Sequence, residues 1–344
     1  MGDDGVSRPR SSRFSVRTRP LITLSTVAAA TLLLAGCSGT PAPEATSTET
    51  PAAEASCILD LTSDAASDAV SVEGSGADAK ITVPAGTEIT EAKRTVLSEG
   101  SGVEVKPGDL VSLRYQLVDA VTNEVLSTSE RGEDGVLPAL LPAEQPQQAM
   151  VDPTQSPAFT VAAECLPVGS SVVLTMPGSE DGSQHASVLY VETIDELPLT
   201  ASGKAVAATE GMPEVELDDE GAPTITIPDG DAPTETKVAV LKEGDGPVVA
   251  SGDLVTVQYR GVKWSDGSEF DSSWSRGAPS QFQTTQVVTG FKTALEGQKV
   301  GSQVVVEMPP ADAYGASEGH ELQKESLVFV VDILATTPLE QPAQ

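Results

Sequence analysis

The chain is poor in the residue types from which most catalytic centres are built. Its 344 residues are only 3% aromatic and include two histidines, three cysteines and 20 basic residues against 51 acidic ones. Two histidines so far apart, His185 and His320, do not resemble a metal pair, and neither Cys57 nor Cys165 has a nearby second ligand. No metal or other cofactor is therefore expected. A net charge of −31 opposes approach to phosphate backbones and anionic lipid heads, which argues against a nucleic-acid partner. Three cysteines are too few for a disulfide scaffold. With rings so scarce, where each one falls carries information.

The N-terminus reads as a targeting segment. Arg8, Arg10, Arg13, Arg17 and Arg19 form a cationic leader, and residues 21–34 an apolar run, too short to span a bilayer as a mature helix and suited to a signal-peptide core. It ends in Leu34-Ala35-Gly36-Cys37, which resembles the lipobox of a bacterial lipoprotein. The resemblance implies a signal peptide over 1–36, lipidation at Cys37, and a membrane-anchored protein on the extracytoplasmic face. Residues 37–56 are rich in Pro, Ala, Thr, Ser and Glu and lack the apolar content for a core, so they are expected to be a disordered tether. With the leader's five basic and two acidic residues set aside, 15 basic and 49 acidic residues remain, a net of −34. In an exported chain, Cys57 and Cys165 are expected to pair as a disulfide, closing a loop of about a hundred residues and adding up to ~4–5 kcal/mol by chain entropy.

What the sequence does hold is a repeat. Residues 81–115 align without a gap to 225–259 at an offset of 144, with 18 of 35 positions identical. VLSEGSG (96–102) faces VLKEGDG (240–246), and GDLVSLRY (108–115) faces GDLVTVQY (252–259). One fold present twice is the expectation. Val255, Val257 and Tyr259 alternate with polar residues as in a half-buried strand, and Val111, Leu113 and Tyr115 repeat the pattern. Residues 301–309 and 326–334 are further strands, the last apolar on both faces, and Asp266-Gly267 marks a turn. Residues 289–297 predict a short helix with Phe291, Ala294 and Leu295 on one face and Gly297 at its end. One helix on an antiparallel sheet makes an α+β domain.

Five strings in the second copy carry a family resemblance: VTVQYRG (255–261), DGSEFDSSWSRG (266–277), VVTGFKTALEGQKVGSQVVVEMPP (287–310), ADAYGAS (311–317) and LVFVVDIL (327–334). In this order and spacing, residues 237–337 resemble the FK506-binding-protein (FKBP) family of peptidyl-prolyl cis-trans isomerases. The resemblance implies two FKBP-like domains, each an antiparallel five- to six-stranded sheet wrapped on one short helix. The domains run over 57–203 and 223–338, with a polar linker at 204–222 and a tail at 339–344. It implies a pocket of Tyr259, Phe270, Val287, Val288, Phe291 and Phe329, with Tyr314 and the Val288 N–H as donors to the substrate and Asp271 bonded to the Tyr259 hydroxyl. The loop 317–326 is shorter than is common in the family; Leu322 stands in for a missing isoleucine, and His320 is near the family's histidine. Ser280 falls where a pocket phenylalanine often lies, with Phe282 beside it. Trp264 and Trp274 read as surface or rim residues.

The implied activity is isomerisation of X–Pro bonds in exported proteins, with proline-containing polypeptides as partners, FK506-like macrolides as ligands, and a monomeric state. A non-catalytic chaperone or binding lipoprotein on the same fold is the alternative. The first copy lacks the site: Leu126 and Ser127 stand in place of Phe270 and Asp271, Gln155 and Ser156 replace the two valines, and the ADAYG segment is gone. Phe159 matches Phe291, Cys165 matches Gly297, and Tyr190 is expected at the place of Phe329. Activity is accordingly expected in the second copy alone and to survive deletion of 57–215.

Overall fold

The computed structural model describes residues 61–130, 132–141 and 158–339, all within one compact unit, Ala53–Gln344. The expected signal peptide, the tether, Cys37 and Cys57 lie outside the described residues, as do Gln155 and Ser156. Cys165 is disulfide-bonded.

The elements run in two successions. The first holds helix α1 (Ala65–Asp68) and strands β1 (Ser71–Glu73), β2 (Lys80–Thr82), β3 (Lys93–Ser98), β4 (Leu110–Asp119), β5 (Val125–Thr128) and β6 (Leu137–Leu140), then helix α2 (Ala158–Ala163), β7 (Ser171–Met176) and β8 (Ser187–Leu197). The second holds β9 (Lys204–Ala205), β10 (Glu214–Leu217), β11 (Pro223–Thr226), β12 (Lys237–Glu243), β13 (Leu254–Lys263), β14 (Glu269–Ser272), helix α3 (Ser273–Arg276), β15 (Ser280–Gln283), helix α4 (Thr289–Leu295), β16 (Gln303–Met308) and β17 (Leu327–Thr337). One sheet runs β3-β7-β8-β4-β5 with β6 also on β4. The other runs β14-β13-β17-β16-β12-β9 with β15 also on β13. The ladders are antiparallel, and no helix among the described residues is long and apolar enough to cross a membrane.

The registers superpose the two copies. β4 pairs with β8 from Leu110↔Leu197 to Asp119↔Ser187, and β13 pairs with β17 from Leu254↔Thr337 to Lys263↔Leu327. They also correct one assignment. Phe329 faces Gly261 and Val306, whereas the residue facing Leu117 and Leu174 is Leu189. Leu189, not Tyr190, is thus the counterpart of Phe329. In a strand a slip of one position moves a side chain to the opposite face, and Tyr190 indeed packs on the far side of its sheet with Val70, Ile81 and Val173.

That far side explains why β17 is apolar on both faces. On its inner face Leu327, Phe329, Val331 and Ile333 join Leu295 and Phe291 of α4. On its outer face Val328 and Val330 join Val262, Val305 and Ala239, covered by Met212, Val215, Ile225 and Ile227. The cover is the hairpin β10–β11, paired from Glu214↔Thr226 to Leu217↔Pro223, and β1–β2 covers the first sheet in the same way. Residues 204–222, expected to be a polar linker, therefore carry paired strands. Their exposed alternate positions are polar, which is what made them look like a linker. α3, a single turn capped by the Ser272 side chain, adds a second helix beside α4 where one was expected.

Each sheet also grips the segment that enters it. The Asp332 carboxylate, buried in β17, accepts from the Ala201 N–H at 2.7 Å and from Gln303 Nε2 at 2.7 Å, while Lys242 Nζ donates to the Ala201 carbonyl at 3.1 Å. Burial pushes the Asp332 carboxyl above its ordinary range, against the hydrogen bonds that favour its charged form. Glu192 holds the same register position in the first sheet and accepts from the Gly76 N–H at 3.0 Å. Leu110, Leu140 and Leu197 of the first sheet pack with Leu334 and Ala335 of the second.

Candidate active site

The inner face of the second sheet gathers the chain's scarce rings. β13 contributes Tyr259, β14 Phe270, β15 Phe282, α4 Phe291 and β17 Phe329. Their centroids lie 5.2 Å (Phe291–Phe329), 5.7 Å (Tyr259–Phe282), 5.8 Å (Phe282–Phe291), 5.9 Å (Tyr259–Phe291) and 6.2 Å (Tyr259–Phe329) apart, all tilted or edge-on. Such angles set the positive edge of one ring on the negative face of the next, so the rings brace one another. They close around a bowl of about 120 Å³ lined by Tyr259, Asp271, Phe282, Val287, Val288, Phe291, Tyr314 and Phe329. Phe270 stands behind Phe329 at 5.4 Å and 86°. Both rings rest on Gly261, where an added Cβ would come within 2.7 Å of each. Glycine is required there for want of room, since its backbone needs no left-handed conformation.

The polar atoms form one network at the edge. The Tyr259 hydroxyl donates to Asp271 Oδ2 at 2.6 Å, and Arg276 donates to that hydroxyl at 2.7 Å, to Asp271 Oδ1 and to Ser280 Oγ at 3.0 Å. Burial, then the hydrogen bond to Asp271, pushes the Tyr259 hydroxyl up to about 12. Burial and the Asp271 charge likewise raise Tyr314. The Tyr314 hydroxyl makes no hydrogen bond to any described residue. Its ring is stacked on His320, centroids 4.2 Å apart and planes 4° from parallel, and His320 Nδ1 accepts from the Leu322 N–H at 3.1 Å. Val288 stands at the N-cap of α4, where a backbone N–H has no partner within the helix.

Most residues singled out in the sequence thus meet in one place. Three lie outside the lining: Phe270 stands behind Phe329, His320 backs Tyr314, and Leu322 is buried in the core with Leu327 and Phe329. Trp264, expected at the surface, packs half-buried against the outer cluster. Three participants were missed: Arg276, Phe282 as a wall of the bowl, and Gly261. An arginine five residues after Asp271 on a tight turn was the available signal for the first. Nothing local signals Gly261, because its constraint comes from rings 9 and 68 residues away. No group of three His, Cys, Asp or Glu side chains among the described residues is placed to hold a metal ion.

The first sheet keeps the frame of this site and loses its contents. Tyr115 bonds to Ser127 Oγ at 3.0 Å, and its ring lies 4.6 Å from Phe159. Leu117 stands where Gly261 does, and Leu126 and Leu189 stand where the two phenylalanines do. Cys165 keeps the left-handed backbone of Gly297, with φ of 59° against 84°, and its N–H reaches the Val105 carbonyl as that of Gly297 reaches Val249, each at 2.9 Å. A side chain in that conformation costs about 1 kcal/mol or more; here it is borne by a residue that is also cross-linked.

The chain is similar to proteins of one family. Residues 246–334 match the family described as FKBP-type peptidyl-prolyl cis-trans isomerase. The chain is similar to an FK506-binding protein of Streptomyces anulatus, 45% identical over 98 residues that cover 27% of this chain and 79% of the relative. It is also similar to a probable FK506-binding protein of Corynebacterium glutamicum, 40% identical over 93 residues with the same shares. Among solved structures, Escherichia coli FkpA matches with 28% identity over 38% of this chain and 54% of that one, at a TM-score of 0.29. With its second sheet closed on a ring-lined bowl and its sequence this near to those relatives, the chain belongs to the FKBP-type peptidyl-prolyl cis-trans isomerase family.

Proposed function

We propose that the protein is a monomeric lipoprotein, anchored through Cys37 on the extracytoplasmic face of the membrane, whose bowl at Tyr259–Phe329 isomerises X–Pro bonds in exported polypeptides. Rotation about a peptide bond faces a barrier of ~18–20 kcal/mol, and X–Pro exchange unaided takes tens to hundreds of seconds. No nucleophile or proton donor is needed. The catalyst must bind the twisted amide, in which C–N conjugation is lost, more tightly than either planar form. A dry ring-lined bowl favours that less polar state, and a fixed donor to the carbonyl oxygen adds to the preference.

In this reading Tyr259, Phe291 and Phe329 grip the proline ring, Val287 and Val288 form one wall, and Phe270 holds Phe329 in place. Asp271 and Arg276 occupy the Tyr259 hydroxyl, so that it does not compete for the substrate. The Tyr314 hydroxyl and the Val288 N–H are the donors. The bowl also takes FK506-like macrolides, less tightly than a bowl with an aromatic at position 280. The observation that carries the reading is the set of five mutually braced rings around a cavity whose one nearby hydroxyl without a partner among the described residues is that of Tyr314. Proline-limited refolding of a test protein, with this chain added at rising concentration, tests it. Acceleration proportional to the chain, and lost in Phe329→Ala, is expected; a folded chain that gives no acceleration over buffer would refute it.

A further inference from the structure

The first sheet keeps a cavity at the place of the bowl, and it is the larger one, about 680 Å³ against about 120 Å³. Tyr115, buried, meets Phe159 at its floor, and Leu117, Leu126, Met176 and Leu189 line its walls. A cavity of this size takes one large apolar side chain with part of the main chain beside it. The Tyr314 donor has no counterpart here, since GSEDGSQHA (178–186) replaces its segment, and Ser127 stands in place of Asp271. The site can therefore hold a ligand without favouring a twisted amide.

Three further observations say what the ligand is. Leu126 at the mouth is 54% exposed, although most large apolar side chains of this acidic chain are covered; an apolar side chain left open at a cavity mouth offers a ligand surface to cover. It belongs to β5, which, among the described residues, ends its sheet and pairs only with β4. Its free edge offers backbone groups to an extended polypeptide rather than to a compact small molecule. At the rim stands Asp119, its carboxylate fixed by the Val121 and Thr122 N–H groups at 2.8 and 2.9 Å and by His185 Nδ1 at 2.8 Å. These bonds, led by the one from Thr122, hold its carboxyl down to about 2, so it is ionised at working pH. No lysine or arginine among the described residues lines the cavity.

We infer that this cavity is a second polypeptide-binding site, which takes a large aliphatic or aromatic side chain of an extended segment next to a lysine or arginine that faces Asp119. The site requires no proline, and it stands independently of the isomerase reading. The test uses the full chain and a labelled proline-free peptide with leucines flanked by lysines, binding being read by fluorescence anisotropy. The control is the same peptide with glutamates for the lysines. Leu126→Asp, at a half-exposed position that leaves the fold intact, should weaken binding about ten-fold, as expected for one displaced leucine contact. Asp119→Asn keeps the turn-capping oxygen and should weaken the lysine peptide about three-fold, leaving the two peptides nearly equal. Neither change should alter proline-limited refolding rates, and Phe329→Ala should leave the proline-free peptide's affinity unchanged. Absence of binding, equal binding of both peptides to the unaltered chain, binding indifferent to Leu126→Asp, or loss on Phe329→Ala would each overturn the inference.

Discussion

Substituting Gly261 by alanine tests the logic of the bowl with a single carbon atom. The position has no left-handed backbone requirement, so alanine introduces no backbone strain, and what it changes is space. Its Cβ would lie 2.7 Å from Phe270 Cζ and 2.7 Å from Phe329 Cε1, so each ring must retreat by about 0.7 Å to reach ordinary contact. Phe329 cannot, because Tyr259 and Phe291 already bear on it. Phe270, half-buried, gives way and takes with it the edge-on support of Phe329. Overpacking of this kind costs about 1–3 kcal/mol, equivalent to a fall in melting temperature of about 3–10 °C. The same displacement spoils the geometry that distinguishes twisted from planar amide, and kcat/KM in proline-limited refolding should fall about ten-fold or more, since a factor of ten needs only ~1.4 kcal/mol. Adding Phe270→Leu, the residue type found at 126, should return part of the stability and none of the activity. A Gly261→Ala protein with normal kcat/KM would refute the claim that Phe270 and Phe329 form the site by leaning on this glycine.

Other changes separate further parts of the structure. Tyr314→Phe should lower kcat/KM about three- to ten-fold with little change in melting temperature, the worth of one hydrogen bond made in the transition state; an unchanged refolding catalyst would remove Tyr314 from the mechanism. Asp332→Asn can keep both of its partners if the Gln303 amide turns over. Because burial raises the Asp332 carboxyl in the folded chain above its ordinary 3.8, its contribution to stability is present below that value and is lost as pH rises through the folded one. The asparagine protein should thus gain on the parent, in urea unfolding, between pH 4 and pH 7, and a constant difference would show that Asp332 does not titrate with folding. A fragment of 199–344 retains the clamp at Ala201, β9 and the β10–β11 hairpin. A fragment of 225–344 loses them together with Met212 and Val215, and should be about 2–4 kcal/mol less stable by area of apolar contact. Equal denaturant midpoints for the two would mean the hairpin is dispensable.

How much of this was legible depended on the range of the cause. Alternation set Val255, Val257 and Tyr259 on one face because a strand's period is fixed by its own backbone. The glycine turn after α4 was legible for the same reason. The meeting of Tyr259, Phe270, Phe291, Tyr314 and Phe329 was legible only through the resemblance, since no local rule brings together residues up to 70 positions apart. What escaped depended on partners far along the chain. Tyr190 was set one position out because the offset between copies drifts from 144 through 132 to 140, and only the ladder shows where β8 lies against β4. The segment 204–222 read as a linker because Met212 and Val215 are too few to mark a buried face until Val262, Val305, Val328 and Val330 are known to need one.

That last point alters what the repeat means. Its aligned part begins at Ile81 and Ile225, which lie inside the hairpins β1–β2 and β10–β11 and not at the start of the isomerase-like sheets. The repeated unit is thus a sheet, a hairpin that seals its outer face, and an acid on the last strand that accepts a backbone N–H of the preceding segment. Both copies preserve all three: Val328 and Val330 under one hairpin answer to Val188 and Tyr190 under the other, and Asp332 to Glu192. The inner faces have meanwhile parted, with glycine and rings in one and Leu117 with smaller side chains in the other. Sealing the outer face leaves the fold's stability less dependent on how the inner cavity is filled. On that physical ground one copy could keep a small ring-lined bowl while the other opened a cavity more than five times its volume.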